Sequence, residues 1–236
     1  MYLIQLYFSH PRVKFENFCR NYWNVPPDFS ALEYDCDNAE RAWKRISGLL
    51  DVIETEPQRN SSKPNQTNKI IVFPENTIPR GKEDDLIRYS NDLQAVIVGG
   101  LVHFRPDNCD YYVNEAIIIE GNNVGYQVKQ TPTLIRSKEI QEKIITRKQK
   151  PSINIFETSF GKMAIFICKD YLRFRNIIPT WAIANDVEFI IVPALTSKIL
   201  PFYSRMIDTF LNVRPHNFQV LFANISHYGG SEVFST

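Results

Sequence analysis

Short apolar runs alternate with amphipathic stretches along most of this chain. Continuous apolar runs of ~4–8 residues are typical of strands buried on both faces. On this pattern we predict strands at residues 29–34, 69–75, 95–102, 111–120, 124–129, 153–156, 161–168, 188–193 and 220–224. The turn-forming residues at 121–123, Gly-Asn-Asn, predict a β-hairpin between two of these strands.

Apolar residues at helical spacing separate several of the predicted strands. Asp37 or Asn38 can cap a helix that runs to about Glu54, with Trp43 and Ile46 on its apolar face. Further helices are predicted around residues 83–91, 177–185 and 203–214. Strands that alternate with amphipathic helices predict an α/β fold built on layered sheets.

Two stretches stand apart from this alternation. Residues 1–28 are rich in aromatic side chains and end in Pro26-Pro27, so we interpret them as an N-terminal extension that packs on the main domain or on a partner. Residues 29–236 are interpreted as the main domain. Within it, residues 55–68 are polar and rich in Pro, Ser and Asn, which predicts a loop or an insertion.

The composition narrows the class of protein. With 236 residues, 44% of them hydrophobic, the chain can bury a sizeable core and is not expected to be disordered. A formal net charge of +1 predicts neither a nucleic-acid partner nor an anionic membrane surface. No apolar run approaches the ~20 residues that span a bilayer, and the apolar N-terminus lacks a basic leader and a cleavage site.

The spacing of the cysteines indicates whether the chain holds a metal ion or disulfides, and which cellular compartment suits it. The four of them, at positions 19, 36, 109 and 168, show neither paired nor metal-type spacing. Because unpaired thiols fit a reducing compartment, we expect a cytoplasmic location. We predict no metal and no cofactor.

Three chemically complementary residues each close a predicted strand. Cys168 ends the run 161–168, Glu75 ends the run 69–75, and Lys129 ends the run 124–129. Each alone has a simpler explanation: an inert buried thiol, a strand-end or helix-capping carboxylate, and a solvated loop lysine. Because a thiol, a carboxylate and an ammonium rarely coincide in equivalent positions, the conjunction favours a catalytic triad.

The sequence around these residues resembles the motifs of the nitrilase superfamily, the carbon–nitrogen hydrolases. The matching segments, in the family's order, are Phe73-Pro74-Glu75, Gly125-Tyr126-Gln127-Val128-Lys129 and Ile167-Cys168-Lys169-Asp170. Weaker matches are Asn114, Arg214, Asn217, Asn224 and the pair Gly229-Gly230. The resemblance covers roughly residues 29–230. It implies a four-layer α-β-β-α sandwich whose sheet-covering helices pair into dimers or larger assemblies.

The resemblance also implies a role for each residue of the triad. Because a free thiol has a pKa of about 8.5, Cys168 needs a base to become a nucleophile at neutral pH. Glu75 is expected to take the thiol proton and later to deliver it to the departing amine. Lys129 is expected to hold the oxyanion, together with the backbone N–H of Lys169.

The resemblance further implies a second glutamate near the lysine, for which Glu139 and Glu142 lie in the right stretch; we favour Glu139. Three features depart from the family pattern. Lys169 replaces a residue that is often aromatic or apolar, which would alter the pocket, and His216 replaces a frequent Glu. The chain ends at Thr236, where further strands normally complete the second sheet. We therefore expect a sandwich that is incomplete at its C-terminus or is completed by another segment.

The expected activity is the hydrolysis of non-peptide C–N bonds in a small amide or carbamoyl substrate, through a thioester on Cys168. Asp170, after the nucleophile, resembles the amide-cleaving branches, so an amidase or carbamoylase is expected. The expected partners are further copies of the chain, or a fused or partner domain. Two alternatives stay open: a binding or scaffolding domain with little turnover, and an amidase module that supplies ammonia to another enzyme.

Overall fold

The computed structural model describes most of the chain from residue 36 onward. The described residues are 36–55, 69–104, 106–107, 111–132, 134–135, 140–141, 152–196, 198–213, 218–224 and 230–235. The predicted extension at 1–28, the strand at 29–34 and most of the loop at 55–68 lie outside them. The described residues form a mixed α/β fold, as predicted.

The described helices and strands follow one another in the predicted alternation. The helices are α1 (Cys36–Thr55), α2 (Glu83–Leu93), α3 (Lys169–Arg173), α4 (Ile178–Ala184) and α5 (Leu200–Val213). The strands are β1 (Lys69–Ile78), β2 (Ala95–Leu101), β3 (Glu115–Glu120), β4 (Asn123–Val128), β5 (Leu134–Ile135), β6 (Ile140–Gln141), β7 (Ile155–Thr158), β8 (Gly161–Ile165), β9 (Phe189–Ala194), β10 (Gln219–Asn224) and β11 (Glu232–Ser235).

Two larger sheets carry the fold. The first has the order β1-β2-β3-β4, with β1 and β2 parallel and the remaining pairs antiparallel. The second has the order β11-β10-β9-β8-β7, with a parallel centre and antiparallel strands at both edges. The predicted hairpin is confirmed as β3–β4. The sequence pattern did not indicate β11, because its four residues are too few to show a period.

Three hydrophobic clusters hold the sheets and helices together. One joins the first sheet to the second through residues such as Ile70, Val98, Ile165 and Ile191. A second packs α1 and α2 on the first sheet, and a third packs α3, α4 and α5 on the second. Neighbouring residues of a strand enter different clusters, as Ile70 and Ile71 do, because successive side chains point to opposite faces. Both faces of these strands are therefore covered, which explains their continuous apolar runs.

The prediction that Glu75 ends its strand is wrong, because β1 continues to Ile78. The pairing of β1 with β2 shifts its register between Phe73 and Ile78, and Asn76 has a φ of +58°. Pro74 cannot donate a ladder hydrogen bond, which fits this irregularity. The two glycines that face the irregular segment, Gly99 and Gly100, leave room for it. A Cβ on Gly100 would collide with the Cα of Glu75 and lie 2.7 Å from the N of Asn76.

We therefore expect Gly100→Ala to destabilise the fold around Glu75. Because the collision is with backbone atoms, the expected loss in the free energy of unfolding is ~1–3 kcal/mol, measured by urea denaturation. Gly48→Ala is the matched control, since a Cβ there meets nothing within 4 Å. Replacing this helical glycine should raise stability by ~0.5–1 kcal/mol. Equal stabilities for Gly100→Ala and wild type would contradict the close approach.

Candidate active site

Glu75 lies at the centre of a buried hydrogen-bond cluster and is only 4% exposed. Its Oε1 accepts hydrogen bonds from Asn114 Nδ2 and from Lys129 Nζ, both at 2.7 Å. Its Oε2 accepts the backbone N–H of Leu195 at 3.1 Å. These donors come from three separate segments, one of them on the second sheet. Glu75 is thus held in one orientation, because both of its oxygens are engaged.

Lys129 follows directly after β4, as predicted, and is 6% exposed. Its backbone N–H donates to the carbonyl of Asn114 at 2.9 Å, so Asn114 contacts both charged residues of the pair. The ammonium of Lys129 and the carboxylate of Glu75 form an ion pair in which both side chains are buried. Removing one member of such a pair costs about 3–5 kcal/mol, because the other charge is left buried alone.

Cys168 occupies a sharp turn between the second sheet and α3. The strand β8 ends at Ile165, yet the N–H groups of Phe166 and Cys168 still donate to carbonyls of β9, each at 2.9 Å. Cys168 then adopts φ +48° and ψ −105°, and α3 begins at Lys169. A non-glycine residue in such a conformation stores about 1–3 kcal/mol of strain, and such residues cluster at functional sites. A strained strand-to-helix turn of this kind presents the nucleophilic serine in α/β-hydrolases.

The thiol of Cys168 lies against Glu75 and is partly buried. Burial is the main cause that raises its pKa, and the negative charge and hydrogen bond of Glu75 raise it further. The ammonium of Lys129 and the backbone N–H of Leu195 act in the opposite direction. Cys168 is therefore a neutral thiol next to a carboxylate, and not a preformed thiolate.

The three residues that the sequence singled out thus converge, although their strands are far apart in the chain. Glu139 and Glu142, the candidates for a second glutamate, lie outside the described residues. Lys169, which was expected to alter the pocket, has an exposed side chain. Its ammonium therefore does not lie among the buried groups of the site.

Of the weaker motif matches, Asn114 contacts Glu75 directly, whereas Asn224 acts on the site through a neighbouring segment. The side chain of Asn224 accepts the N–H of Thr196 at 3.0 Å and donates to the carbonyl of the same residue at 2.8 Å. This fixes the segment that carries the Leu195 N–H beside Glu75. Gly230 accepts a hydrogen bond from the hydroxyl of Tyr203 at 2.8 Å. The remaining matches, Arg214, Asn217 and Gly229, lie outside the described residues, as does His216.

Sequence reasoning missed two contributors to the site. The Leu195 N–H is a backbone donor, so no side-chain type marks it; only its place directly after a buried strand could have indicated it. The other is the partner of Asp170, whose carboxylate accepts the N–H of Gln130 at 3.0 and 3.1 Å. Such a side-chain-to-backbone contact, 40 positions apart, has no sequence signature.

The arrangement suits proton transfer and the stabilisation of negative charge. A carboxylate in contact with a thiol can accept its proton, and an ammonium beside both can stabilise an oxyanion. Among the described residues, no three His, Cys, Asp or Glu side chains come close enough together to hold a metal ion. In the same ranges, no helix has the length and apolarity needed to cross a membrane.

Comparison with known proteins identifies the fold. No protein-family model matches the sequence, and neither does any curated protein. Among solved structures, Saccharomyces cerevisiae Nit3, a member of branch 10 of the nitrilase superfamily, is 17% identical, with a TM-score of 0.57 over 84% of this chain and 76% of that one. A mutant amidase from Nesterenkonia sp. is 11% identical, with a TM-score of 0.56 over 82% and 77%. A CN-hydrolase superfamily protein from Xanthomonas campestris is 13% identical, with a TM-score of 0.54 over 79% and 70%. The chain therefore has the fold of the nitrilase superfamily.

Proposed function

We propose that this chain is a cysteine-dependent amidase that hydrolyses the C–N bond of small, non-peptide amides. The observation that carries the proposal is the Glu75 carboxylate, which contacts both the Lys129 ammonium and the Cys168 thiol. Packing of α1 and α2 on one sheet, and of α3–α5 on the other, supports a four-layer α-β-β-α arrangement around this site.

The first step forms a bond between Cys168 and the substrate. Because the pKa of the thiol is raised, its proton passes to Glu75 as the sulfur attacks the amide carbonyl carbon. The carbonyl π electrons move onto oxygen, and the Lys129 ammonium stabilises the resulting oxyanion. The backbone N–H of Lys169, at the first position of α3 directly after Cys168, is the proposed second donor for this oxygen.

The second step releases the amine, and the third releases the acid. Glu75 returns the proton to the substrate nitrogen as the C–N bond breaks, which leaves a thioester on Cys168. Water then attacks the thioester carbonyl while Glu75 accepts one of its protons. The oxyanion collapses, the sulfur leaves and regains the proton from Glu75, and the carboxylic acid departs. The net reaction is amide plus water to acid plus amine.

The first test removes the reacting groups one at a time. We expect Cys168→Ala to abolish ammonia release from simple aliphatic amides, and Glu75→Gln to lower kcat by ~10²–10⁴-fold, because the proton acceptor is lost. Thr209→Val is the control, since Thr209 is buried, accepts a hydrogen bond from the Tyr171 hydroxyl and donates one to the carbonyl of Arg205, both within the α3–α5 layer. Full turnover by purified Cys168→Ala would exclude the proposed nucleophile.

One observation favours a second candidate, a binding or scaffolding domain with little turnover. The raised pKa of Cys168 is also what an inert buried thiol would show. The two candidates differ in whether Glu75 and Lys129 activate the sulfur when a substrate-like molecule is bound.

Labelling with fluoroacetamide separates these candidates. The Nesterenkonia amidase mutant carries the acetamide moiety of fluoroacetamide on its active-site cysteine. We expect one acetamide adduct on Cys168 at pH 7, located by peptide mass spectrometry, and none on positions 19, 36 and 109. Iodoacetamide, which needs no activation by the site, should label Cys168 slowly at pH 7 and faster with rising pH, because its thiol pKa is raised. A Cys168 that fluoroacetamide leaves unmodified would favour the binding domain.

We further propose that copies of the chain associate through α4 and α5. Five exposed apolar side chains lie on these helices or directly before α4: Ile177, Ile183, Leu200, Ile207 and Leu211. Leu200, Ile207 and Leu211 share one face of α5 by their helical spacing, and a contiguous exposed apolar face marks an interaction surface. Because the face is apolar, it can pack against the same face of a second copy, as a two-fold interface requires.

A double substitution tests this surface. Ile207→Glu with Leu211→Glu should convert an oligomer to a monomer in size-exclusion chromatography with light scattering, because four charges would face one another across a two-fold interface. Val52→Glu, at an equally exposed apolar position on α1, should leave the mass unchanged. A wild-type chain that is monomeric at high concentration would contradict the association.

A further inference from the structure

Asp170 is a buried carboxyl group that the proposed reaction does not use. It lies two residues after Cys168, in the single turn of α3, and is 0% exposed. Its two oxygens accept the backbone N–H of Gln130, at 3.1 and 3.0 Å. Gln130 directly follows Lys129, so Asp170 joins the segment of the nucleophile to the segment of the ammonium.

Burial of this carboxyl is costly and therefore calls for an explanation. Loss of hydration raises the pKa of Asp170 to about 6, while the N–H of Gln130 and the charge of Lys129 act to lower it. The charged group that faces Asp170 from the neighbouring segment is Lys129, and its own element contributes Cys168 and the exposed Lys169. An apolar residue at this position would not lose hydration on burial. The contact between the Asp170 carboxylate and the 129–131 turn is therefore what the buried charge provides.

The opposite side of this turn is fastened by two glutamine side chains. Gln130 accepts the N–H of Ser152 at 3.0 Å and donates to the carbonyl of Val128 at 2.7 Å. Gln127 accepts the N–H of Asn154 at 2.8 Å and donates to the carbonyl of Ser152 at 3.0 Å. The side chains of Gln127, on β4, and of Gln130, just after β4, thus bind residues 152–154. The backbone N–H of Gln130 is the group that faces α3.

We propose that Asp170 is a positioning residue, whose hydrogen bonds from the Gln130 N–H hold the 129–131 turn so that the Lys129 ammonium stays against Glu75 Oε1. The inference rests on the proposed function, because it assigns Asp170 a part in the same site. Lysine has a long, flexible and strongly hydrated side chain. Its head group stays in a buried site only if the backbone from which it extends is fixed.

The alternative is that Asp170 only stabilises the fold. The two explanations differ in what happens to the pKa of Cys168 when the charge of Asp170 is removed. Loss of a nearby negative charge, by itself, would leave the pKa of Cys168 unchanged or lower it. Displacement of Lys129 would raise it, because the ammonium is one of the groups that lower this pKa.

The test compares Asp170→Asn with Thr209→Val in the full chain. For Asp170→Asn we expect kcat for amide hydrolysis to fall by ~10–100-fold with a smaller change in KM, because a displaced oxyanion donor acts mainly on the transition state. The pH at which iodoacetamide labels Cys168 half-maximally should move upward. Thr209→Val, which loses the buried hydrogen bond that Thr209 accepts from the Tyr171 hydroxyl, should change neither kcat nor the labelling midpoint. Asp170→Glu, which retains the carboxylate, should restore part of the lost kcat.

The thiol titration needs no amide turnover, so the inference can fail separately from the proposed function. An unchanged or lowered labelling midpoint in Asp170→Asn would overturn the positioning role, even in an active enzyme. If Asp170→Asn does not fold, the same measurements are made on Asp170→Glu. The positioning role would be overturned if Asp170→Glu had a lowered Tm but the kcat and the labelling midpoint of the wild type. A wild-type chain without amidase activity would refute the proposed function alone.

Discussion

A buried carboxylate and a buried ammonium, 2.7 Å apart, set the main physical constraint on this molecule. Each ion loses its hydration on folding, and the effective penalty is several kcal/mol per ion. The pair persists because every oxygen of Glu75 has a donor: Lys129 and Asn114 on one, and the Leu195 N–H on the other. The rest of the site is the framework that keeps these donors in place.

That framework exists only when the two sheets are packed together. Glu75, Asn114 and Lys129 belong to segments of the first sheet, whereas Cys168 and Leu195 follow strands of the second. The apolar cluster between the sheets therefore supplies the free energy that brings the two halves of the site together. The strained backbone of Cys168 is one local cost of this arrangement. The arrangement also requires glycine at position 100, because a Cβ there would collide with the backbone of Glu75.

The sequence predicts the elements better than their contacts. Buried strands show as continuous apolar runs, so most of the described strands lie where the sequence pattern predicts them, and Lys129 directly follows β4. The run that ends at Cys168 predicts too long a strand, because β8 ends at Ile165. The strand of Glu75 was given the wrong end, because a bulge leaves no hydrophobic period of its own. The Leu195 N–H and the Asp170–Gln130 contact could not be predicted, since both join segments far apart in the chain and use backbone groups. The choice between Glu139 and Glu142 stays a prediction.

The central claim is tested most directly by incubating the protein with a small amide, stopping the mixture with acid and analysing the protein by mass spectrometry. If the Cys168 sulfur attacks an amide while Glu75 accepts its proton, the peptide that contains Cys168 should carry the acyl group of the substrate. The adduct should be released by hydroxylamine, as a thioester is, and should be absent from Cys168→Ala. Two results would contradict the account, both in wild-type protein that hydrolyses the amide. The acyl group could be found on another residue, or Cys168 could stay unmodified under conditions in which an acyl intermediate accumulates.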